Sequence, residues 1–424
     1  PYLYHLISKV NSDTVKLSQK PMLFNTGKLE FEVFMTATNN KSFTLTRYGE
    51  YSLLISAMLT IMVGAAIAPG LTTISQQLGV QEYAPLLITL PALGAILFAP
   101  VFGTLIDKIG ARKTLLISLW GYFIFGCAGA FLEGPSPLAI DRILLGAFTA
   151  GQMAAGTAVI SYWFQGEKRL SMMAKQGMAI ELGGVIFLFF GGLLTELHWQ
   201  APFIIYALAL VCALLVSAFV PKPRTLPQAE AKDETLPNLA WQATPQDESV
   251  KPIILLAVMA MSLFFSMFIM LPTHLAGLGF GEAETGYLLS FTSFVAVLSA
   301  MLMPKIVKQV GNKMTLVIAF VTYGLAHSLF ATTSTLAWLI GAAVAAGVGF
   351  GFSIPLLNHR TVEVSSEEKR GKHLSYFAMA VFLGQFLTSA LEFIPVAHWQ
   401  LFLVCGVLAF TCAIATKLSS FGTN

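Results

Sequence analysis

Residues 166–183 read GEKRLSMMAKQGMAIELG, and residues 367–384, 201 positions later, read EEKRGKHLSYFAMAVFLG. Lys168-Arg169 returns as Lys369-Arg370, Met178-Ala179 as Met379-Ala380, and Leu182-Gly183 as Leu383-Gly384. The match extends in both directions. His198-Trp199-Gln200 recurs as His398-Trp399-Gln400, and Gly110 with Lys113-Thr114-Leu115 recurs as Gly311 with Met314-Thr315-Leu316. Matches at an offset of 200 or 201 across most of a chain mark a duplicated architecture.

What is duplicated follows from composition. Of 424 residues, 56% are hydrophobic and 11% charged, with a mean hydropathy of +0.73. Soluble domains carry about 25% charged residues, so this chain is solvated mainly by lipid. A helix crosses the hydrocarbon layer with about 20 apolar residues. Runs of that size fall near 51–74, 84–103, 114–132, 138–161, 173–194 and 201–220, and again near 252–273, 284–304, 314–333, 336–357, 374–394 and 399–417. The runs are continuous rather than alternating, which requires helices and excludes a barrel. The sequence therefore predicts an all-α membrane protein with twelve transmembrane helices in two six-helix repeats. A bundle over 48–220 is followed by a polar linker over 221–250, rich in Pro, Gln, Glu and Asp, and a second bundle over 251–417. Residues 1–47 and 418–424 read as polar tails, with Met35 an expected alternative start. Cys127, Cys212, Cys405 and Cys412 all lie in apolar runs and read as inert packing.

Lysine and arginine give the sidedness. Lys108, Arg112 and Lys113 follow the second span; Lys168, Arg169 and Lys175 the fourth; Lys222, Arg224, Lys232 and Lys251 the sixth. Lys305, Lys308 and Lys313 follow the eighth, and Arg360, Lys369, Arg370 and Lys372 the tenth. The alternate loops carry Glu82, Glu133, Asp141, Glu196, Glu282 and Glu284, with Arg142 the exception. Positive loops stay inside, so both termini are expected in the cytoplasm of a bacterial-type inner membrane. Parallel six-helix halves suit alternating exposure of a cavity between them.

The loop after the second span, Gly103-Thr104-Leu105-Ile106-Asp107-Lys108-Ile109-Gly110-Ala111-Arg112-Lys113, packs specific residues closely. Asp107 stands at a helix C-terminal end, where an anion is disfavoured unless paired, and Arg112 and Lys113 are near. Gly110 permits the tight turn. Gly103, Asp107, Gly110, Arg112 and Lys113 resemble the signature loop of the major facilitator superfamily, Gly-x-x-x-Asp-x-x-Gly-Arg-Arg/Lys with one residue of play. The second half keeps a worn copy, with Gly311 and Lys313 retained and Lys308 where Asp107 stands. The resemblance covers about residues 48–417. It implies the major facilitator fold and a gating role for Asp107 and Arg112, which in that family hold the outward-facing state. Asp141-Arg142-Ile143-Leu144-Leu145-Gly146 resembles the Arg-x-x-x-Gly motif of the drug–proton antiporter branch, where the arginine is tied to proton coupling. Arg142 could equally snorkel to the interface and pair with Asp141. The antiporter signature of the fifth span is broken: Gly191-Gly192 remains, but Phe187-Leu188 stands where Gly-Pro is expected.

Within the apolar runs, Glu181 is the sharpest candidate. It lies about eight residues, or ~12 Å at 1.5 Å per residue, into the fifth run. A carboxylate there must be protonated, paired or wetted. Its repeat counterpart is Phe382, so the scaffold itself does not need an acid. Two readings stand: a proton carrier, or a neutral acid bonded between helices. Gln152 and Gln385 either bind solute or bridge helices. Phe264, Phe265 and Phe268 either line an apolar pocket or face lipid. Asn358 and His359 end the tenth span and suit a gate; His327 reads as a packed, neutral histidine. Gly64, Pro69 and Gly70 in the first span, with Gly347, Gly349, Gly351 and Pro355 in the tenth, suit bending or close approach.

No phosphate-binding Gly-x-x-x-x-Gly-Lys-Ser/Thr loop and no metal-ligand spacing occurs in the sequence, so neither ATP hydrolysis, a metal nor another cofactor is expected. An enzyme or a nucleic-acid binder is not indicated. The expected function is secondary active transport of a small organic solute, proton-coupled and by alternating access, from a monomer in the lipid bilayer. Export is favoured by the second- and fourth-span motifs. Uptake symport of an organic acid, paired with Arg142, is the alternative; a non-transporting membrane receptor or scaffold is the alternative of another class. Few polar groups at depth argue against a sugar.

Overall fold

In the computed structural model, residues 45–164, 166–222, 250–365 and 367–419 are described. The tails and the 221–250 linker lie almost wholly outside the described residues. Helix formation follows the apolar runs: α1 (Arg47–Ala65), α2 (Leu86–Ile109), α3 (Ala111–Ala128), α4 (Pro135–Trp163), α5 (Gly166–Leu197) and α6 (Leu208–Phe219, entered through a 3-10 turn over Ala201–Ala207). The second set is α7 (Val250–Gly277), α8 (282–310), α9 (312–332), α10 (Leu336–Glu363), α11 (Glu367–Leu387) and α12 (His398–Leu418). Among the described residues, ten continuous helices are long and apolar enough to cross a membrane. One of them, Glu282–Thr332, is two helices joined at Gly311, whose φ of 84° is not helical. α3 joins the set as an 18-residue helix made less apolar by Arg112 and Lys113 in its first turn. The expected twelve helices in two sets of six are present.

Two runs differ from their sequence-based limits. The first ends as a helix at Ala65 and resumes as Leu71–Gln77. Pro69 lacks an N–H and its ring clashes with the preceding turn, and Gly70 then caps the short helix. α5 is longer than its apolar run because the helix continues back into the polar segment at 166–172. This puts Glu181 at the midpoint of a 32-residue helix instead of one third of the way in.

The two sets pack alike. α1 lies on α5 and α7 on α11; α2 lies on α4, and α3 on α6. α8 meets α10 where Gly347 and Gly351 approach Thr292 and Ser299, and α9 meets α12 where Gly324 faces Phe410. The sharp turns are also repeated. Gly110 has φ 88° and ψ 149°, and Gly311 has φ 84° and ψ 163°. This region favours glycine. One turn on, Thr114 Oγ1 donates to Gly110 O at 3.1 Å and Thr315 Oγ1 to Gly311 O at 2.8 Å.

A cation beside each turn then caps a distant helix. Arg112 donates to Val220 O at 2.6 Å and Ser217 O at 2.9 Å, at the end of α6. Lys313 donates to Ser419 O at 2.6 Å, past the end of α12. The last carbonyls of a helix lack partners and carry partial negative charge, so they outcompete Asp107 for Arg112. The expected Arg112–Asp107 pairing is therefore corrected: Asp107 is exposed and has no ion pair among the described residues. The α2–α3 and α8–α9 turns and the ends of α6 and α12 thus share one end of the molecule, the basic end. The start of α1 joins them, since the Tyr48 and Phe219 rings lie 5.4 Å apart.

The halves meet most tightly near the opposite, acidic end. A Cβ at Gly192 of α5 would stand 2.4 Å from Glu282 O and 3.0 Å from the Gly286 Cα of α8, so no side chain fits there. Thr73 donates to the Glu282 carboxylate, Ala283 N–H to Glu196 Oε1 at 3.4 Å, and Ser290 Oγ to Val185 O at 2.7 Å.

Arg112→Ala is expected to lower stability by about 1 kcal/mol, below the usual ~1.5–3 for a hydrogen bond to a charged group because the guanidinium is half-exposed. A fall in the thermal unfolding midpoint, with Arg112→Lys intermediate, is the measurement; an unchanged midpoint would show that the α6 cap is energetically idle.

Candidate functional site

Between the halves lies a cavity of about 590 Å³. α1, α2, α4 and α5 form one side, and α7, α8, α10 and α11 the other. Its wall is apolar: the rings of Phe264, Phe265, Phe268, Phe350, Phe377 and Phe382 face it, with methionines between them. Phe265 and Phe268 stack at 5.2 Å, and Phe264 meets Phe350 at 4.1 Å. The aromatic run on α7, readable from sequence as either pocket or lipid face, is the pocket; Phe264, Phe265 and Phe268 are all buried.

Among the described residues, Glu181 is the one acidic or basic side chain on this wall. Among the described residues its carboxyl has no hydrogen bond and no ion pair, so the reading of an acid bonded between helices is not what the geometry gives. Asn358 on α10 and Gln385 on α11 also line the cavity, and their side-chain amides are likewise without partners among the described residues. Three polar side chains from both halves thus face an apolar chamber with unused bonding capacity. For the half-buried Glu181 and Gln385 such capacity is costly in hydrocarbon unless water or a solute meets it, whereas the exposed Asn358 stands at the chamber's mouth. At its basic end the wall includes Ala174 and Asn358, both exposed, so the chamber reaches the surface there.

Gln152 does not line the chamber. It is 1% exposed and bridges helices: its Nε2 donates to Ser56 O at 2.6 Å, and its Oε1 accepts from Thr60 Oγ1 at 3.3 Å. Thr60, which sequence reasoning passed over, is on the wall, as is Thr149, whose hydroxyl is turned back onto Leu145 O at 2.8 Å. No sequence signal separates these threonines from the many that bond their own helix.

Asp141 and Arg142 also lie away from the chamber. They form a buried pair, 3% and 1% exposed, with Arg142 Nε and Nη2 on Asp141 Oδ2 at 2.9 and 2.6 Å. Nη2 also donates to Phe125 O at 3.1 Å, and the guanidinium carbon lies 5.7 Å from the Phe203 and Tyr206 ring centres. Snorkelling is thereby corrected: aromatic rings and α3 enclose the arginine, so it does not reach the interface. A solute in the central chamber would not touch it. His327 is fully buried, with Nδ1 2.9 Å from Tyr323 O and Nε2 3.0 Å from Ser266 Oγ. Tyr323 O can only accept, so Nδ1 carries a proton and donates to it, while Ser266 Oγ also donates to Leu263 O at 2.8 Å. Gly103 has open space beside it, so no helix packs against that position here. Lys113 is exposed.

The chain resembles known proteins in sequence and shape. The profile of the Major Facilitator Superfamily matches residues 53–389 and 277–420. A multi-drug resistance efflux pump, PmrA, from Streptococcus pneumoniae is 29% identical over 323 residues, 70% of this chain and 77% of that protein. A triacylglyceride transporter of Mycolicibacterium smegmatis is 24% identical over 203 residues, 47% of this chain but only 36% of that protein's length. In fold, the crystal structure of the nucleoside transporter NupG superposes with a TM-score of 0.68 at 15% identity, over 88% of this chain and 98% of that one. With the profile matching most of its length, and with duplicated six-helix sets around a central chamber, the chain belongs to the Major Facilitator Superfamily, a family of transporters.

Proposed function

We propose that the protein is a secondary active transporter of small amphipathic or aromatic organic compounds, exchanging them for protons by alternating access, with export the favoured direction. The observation that carries this is Glu181: one unpartnered acid at the middle of a crossing helix, facing an aromatic chamber between two repeats. A carboxylate at that depth is unfavourable unless wetted or neutralised. With the chamber open to water the acid can give up its proton. With the chamber closed it is favoured as the neutral acid, so the closed, crossing form carries a proton or a solute that satisfies the site. Asn358 and Gln385 supply hydrogen bonds that orient a solute, while the phenylalanines take up its apolar surface.

The rocking bodies of this proposal are the bundles 48–220 and 251–417. Contacts at the acidic end fit a form open at the basic end, and the positive loops support a reading in which that end, with both chain ends, faces the cytoplasm of a bacterial-type inner membrane. One chain encloses the whole chamber, so a monomer suffices. Export is supported by the efflux activity named for PmrA. Uptake by symport remains the second reading because Phe187-Leu188, buried on α5, replaces the Gly-Pro of the antiporter signature.

In proteoliposomes under an imposed pH gradient, the wild type is expected to drive aromatic and amphipathic compounds against their gradients. The sign of that flux gives direction, and its absence across a broad panel would favour a receptor or scaffold. Glu181→Gln is expected to cut proton-driven flux by more than about tenfold, within the usual range of coupling between two ligand sites, while membrane insertion stays normal. Full coupling in that variant would remove Glu181 from the mechanism. Asp107→Asn is expected to raise the share of molecules open at the basic end, seen as faster labelling of a cysteine placed at Asn358. An unchanged labelling rate would detach Asp107 from the gate.

A further inference from the structure

The two repeats do not share the chamber wall evenly. Among the described residues, all six of its phenylalanines belong to the second half. None of the residues 201 positions before them is aromatic; Val63, Gly64, Thr149 and Glu181 are four of these. One such pair meets across the chamber. A Cβ added at Gly64 of α1 would stand 3.6 Å from Phe265 Cζ of α7 and 3.6 Å from Ile88 O of α2. Gly64 and Phe265 are 201 positions apart, and repeat-related residues that touch lie on the axis relating the halves. The first carbon of a side chain fits there in ordinary contact, but a larger group at 64 meets the ring. This place on the axis has room for one ring and not for two.

The contact lies at one end of the chamber. Toward the acidic end the wall stops at Ala65 on α1, Glu181 on α5 and Phe268 on α7. Beyond it α5 closes on α8 at Gly192, and α7 meets the short helix Leu71–Gln77. The seat under the ring is firmly held. Gln152 Nε2, Tyr122 OH and Tyr206 OH donate to Ser56 O, Leu59 O and Val63 O at 2.6, 2.8 and 2.9 Å, along one face of α1. Val63 O depends on its tyrosine, because Ile67 N–H turns to Gly64 O at 3.3 Å where the helix breaks. The counterparts of these three donors do not hold α7. Tyr323 OH lies 3.3 Å from the hydroxyl of Ser353, which stands in the place of Gln152, and Gly406 in the place of Tyr206 has no side chain. α7 keeps two serine contacts, Ser262 Oγ to Gly384 O at 3.1 Å and Ser266 Oγ to His327 Nε2 at 3.0 Å.

We propose that the Phe265 ring seated on Gly64 is the seal between the chamber and the acidic end, and that the chamber opens there only when the ring leaves this seat. The two halves supply unlike parts to it, a ring from α7 and a bare backbone from α1, and the seal needs one ring from either side. The inference rests on the alternating-access reading for why the seat must be vacated. The seal itself belongs to the form open at the basic end and can be read without transport.

The test uses the full-length protein with Ala378→Cys, a half-buried position on the chamber wall, as the parent. A membrane-impermeant maleimide is added to right-side-out and to inside-out membrane vesicles, and peptide mass spectrometry separates the new cysteine from the four native ones. The parent is expected to label from the basic face alone. Phe265→Ala should label from the acidic face as well, at least about tenfold faster than the parent, a change worth about 1.4 kcal/mol. Gly64→Phe, which sets two rings against each other, should do the same. Gly64→Phe combined with Phe265→Ala has one ring again, now from α1, and should return acidic-face labelling to the parent rate. Gly64→Ala should label like the parent. No solute or pH gradient is present, so a failed seal and a failed transport assay are separate results. The proposal is overturned by acidic-face labelling as fast in the parent as in Phe265→Ala, by a rise in Gly64→Ala, or by a combined variant that inserts normally and is not restored. Should Gly64→Phe fail to insert, Phe265→Ala against Gly64→Ala decides.

Discussion

Hydrocarbon offers no water to polar groups, so each donor and acceptor placed in the bilayer must find a partner within the protein. Backbone groups do so by forming helices, and the side chains follow. Thr89, Thr149, Thr195 and Thr292 each bond the carbonyl four residues back in their own helix. Tyr122 and Tyr206 send their hydroxyls across to α1, to Leu59 O at 2.8 Å and Val63 O at 2.9 Å. Gln152 and His327 are tied in the same way, and Asp141 and Arg142 are tied to each other through Oδ2, with Asp141 Oδ1 and Arg142 Nη1 left without partners among the described residues. Where most groups are engaged, unengaged ones that converge on one space carry information. Glu181, Asn358 and Gln385 all face one chamber, and that shared placement is what marks the chamber as the site.

Duplication supplies a second way to separate scaffold from function. Features that both halves keep are structural: the turns at Gly110 and Gly311, and the cations Arg112 and Lys313 that cap α6 and α12. Positions where the halves part company are the candidates for the proposed chemistry. Glu181 faces Phe382 across the repeat, Arg142 faces Ala343, and Asp107 faces Lys308. A scaffold that folds with phenylalanine or alanine at the equivalent place has no packing need for an acid or a guanidinium there. The tyrosines show the intermediate case. Tyr122 bonds a backbone carbonyl of α1, whereas its counterpart Tyr323 lies 3.3 Å from the Ser353 hydroxyl. One buried position keeps its residue but changes its partner.

The span count, the repeat and the basic end were legible because lipid imposes length, period and charge on the sequence itself. Glu181 was legible for the same reason, as an acid inside an apolar run. Gln152 and Gln385 were not separable, since both are amides at similar depth; only packing shows that Gln152 reaches Ser56 and Thr60 while Gln385 meets the chamber. Arg142 looked like an edge residue because it follows the acidic loop closely, yet the rings of Phe203 and Tyr206 and the carbonyl of Phe125 bury it. The partner of Arg112 was equally out of reach. Sequence proximity favoured Asp107, and the winning acceptors lie more than a hundred residues away, at 217 and 220.

The make-up of the chamber also bears on how selective such a transporter would be. A polar site that makes several directed bonds rejects an analogue lacking one of them by leaving a buried group unpaired, whereas an apolar wall discriminates by only about 1–3 kcal/mol per methylene. Here the wall is rich in phenylalanine, with Met153, Met178, Met261 and Met301, side chains that adapt to differing shapes, and among the described residues its unengaged polar groups are three. Arg142, the group that could have imposed a carboxylate requirement, is held outside the chamber by Asp141. Under the proposed function, a solute is then selected mainly by size, flatness and apolar area, with Glu181, Asn358 and Gln385 setting its orientation. Broad acceptance of related amphipathic compounds follows from that balance, because too few directed contacts face the solute to exclude its neighbours.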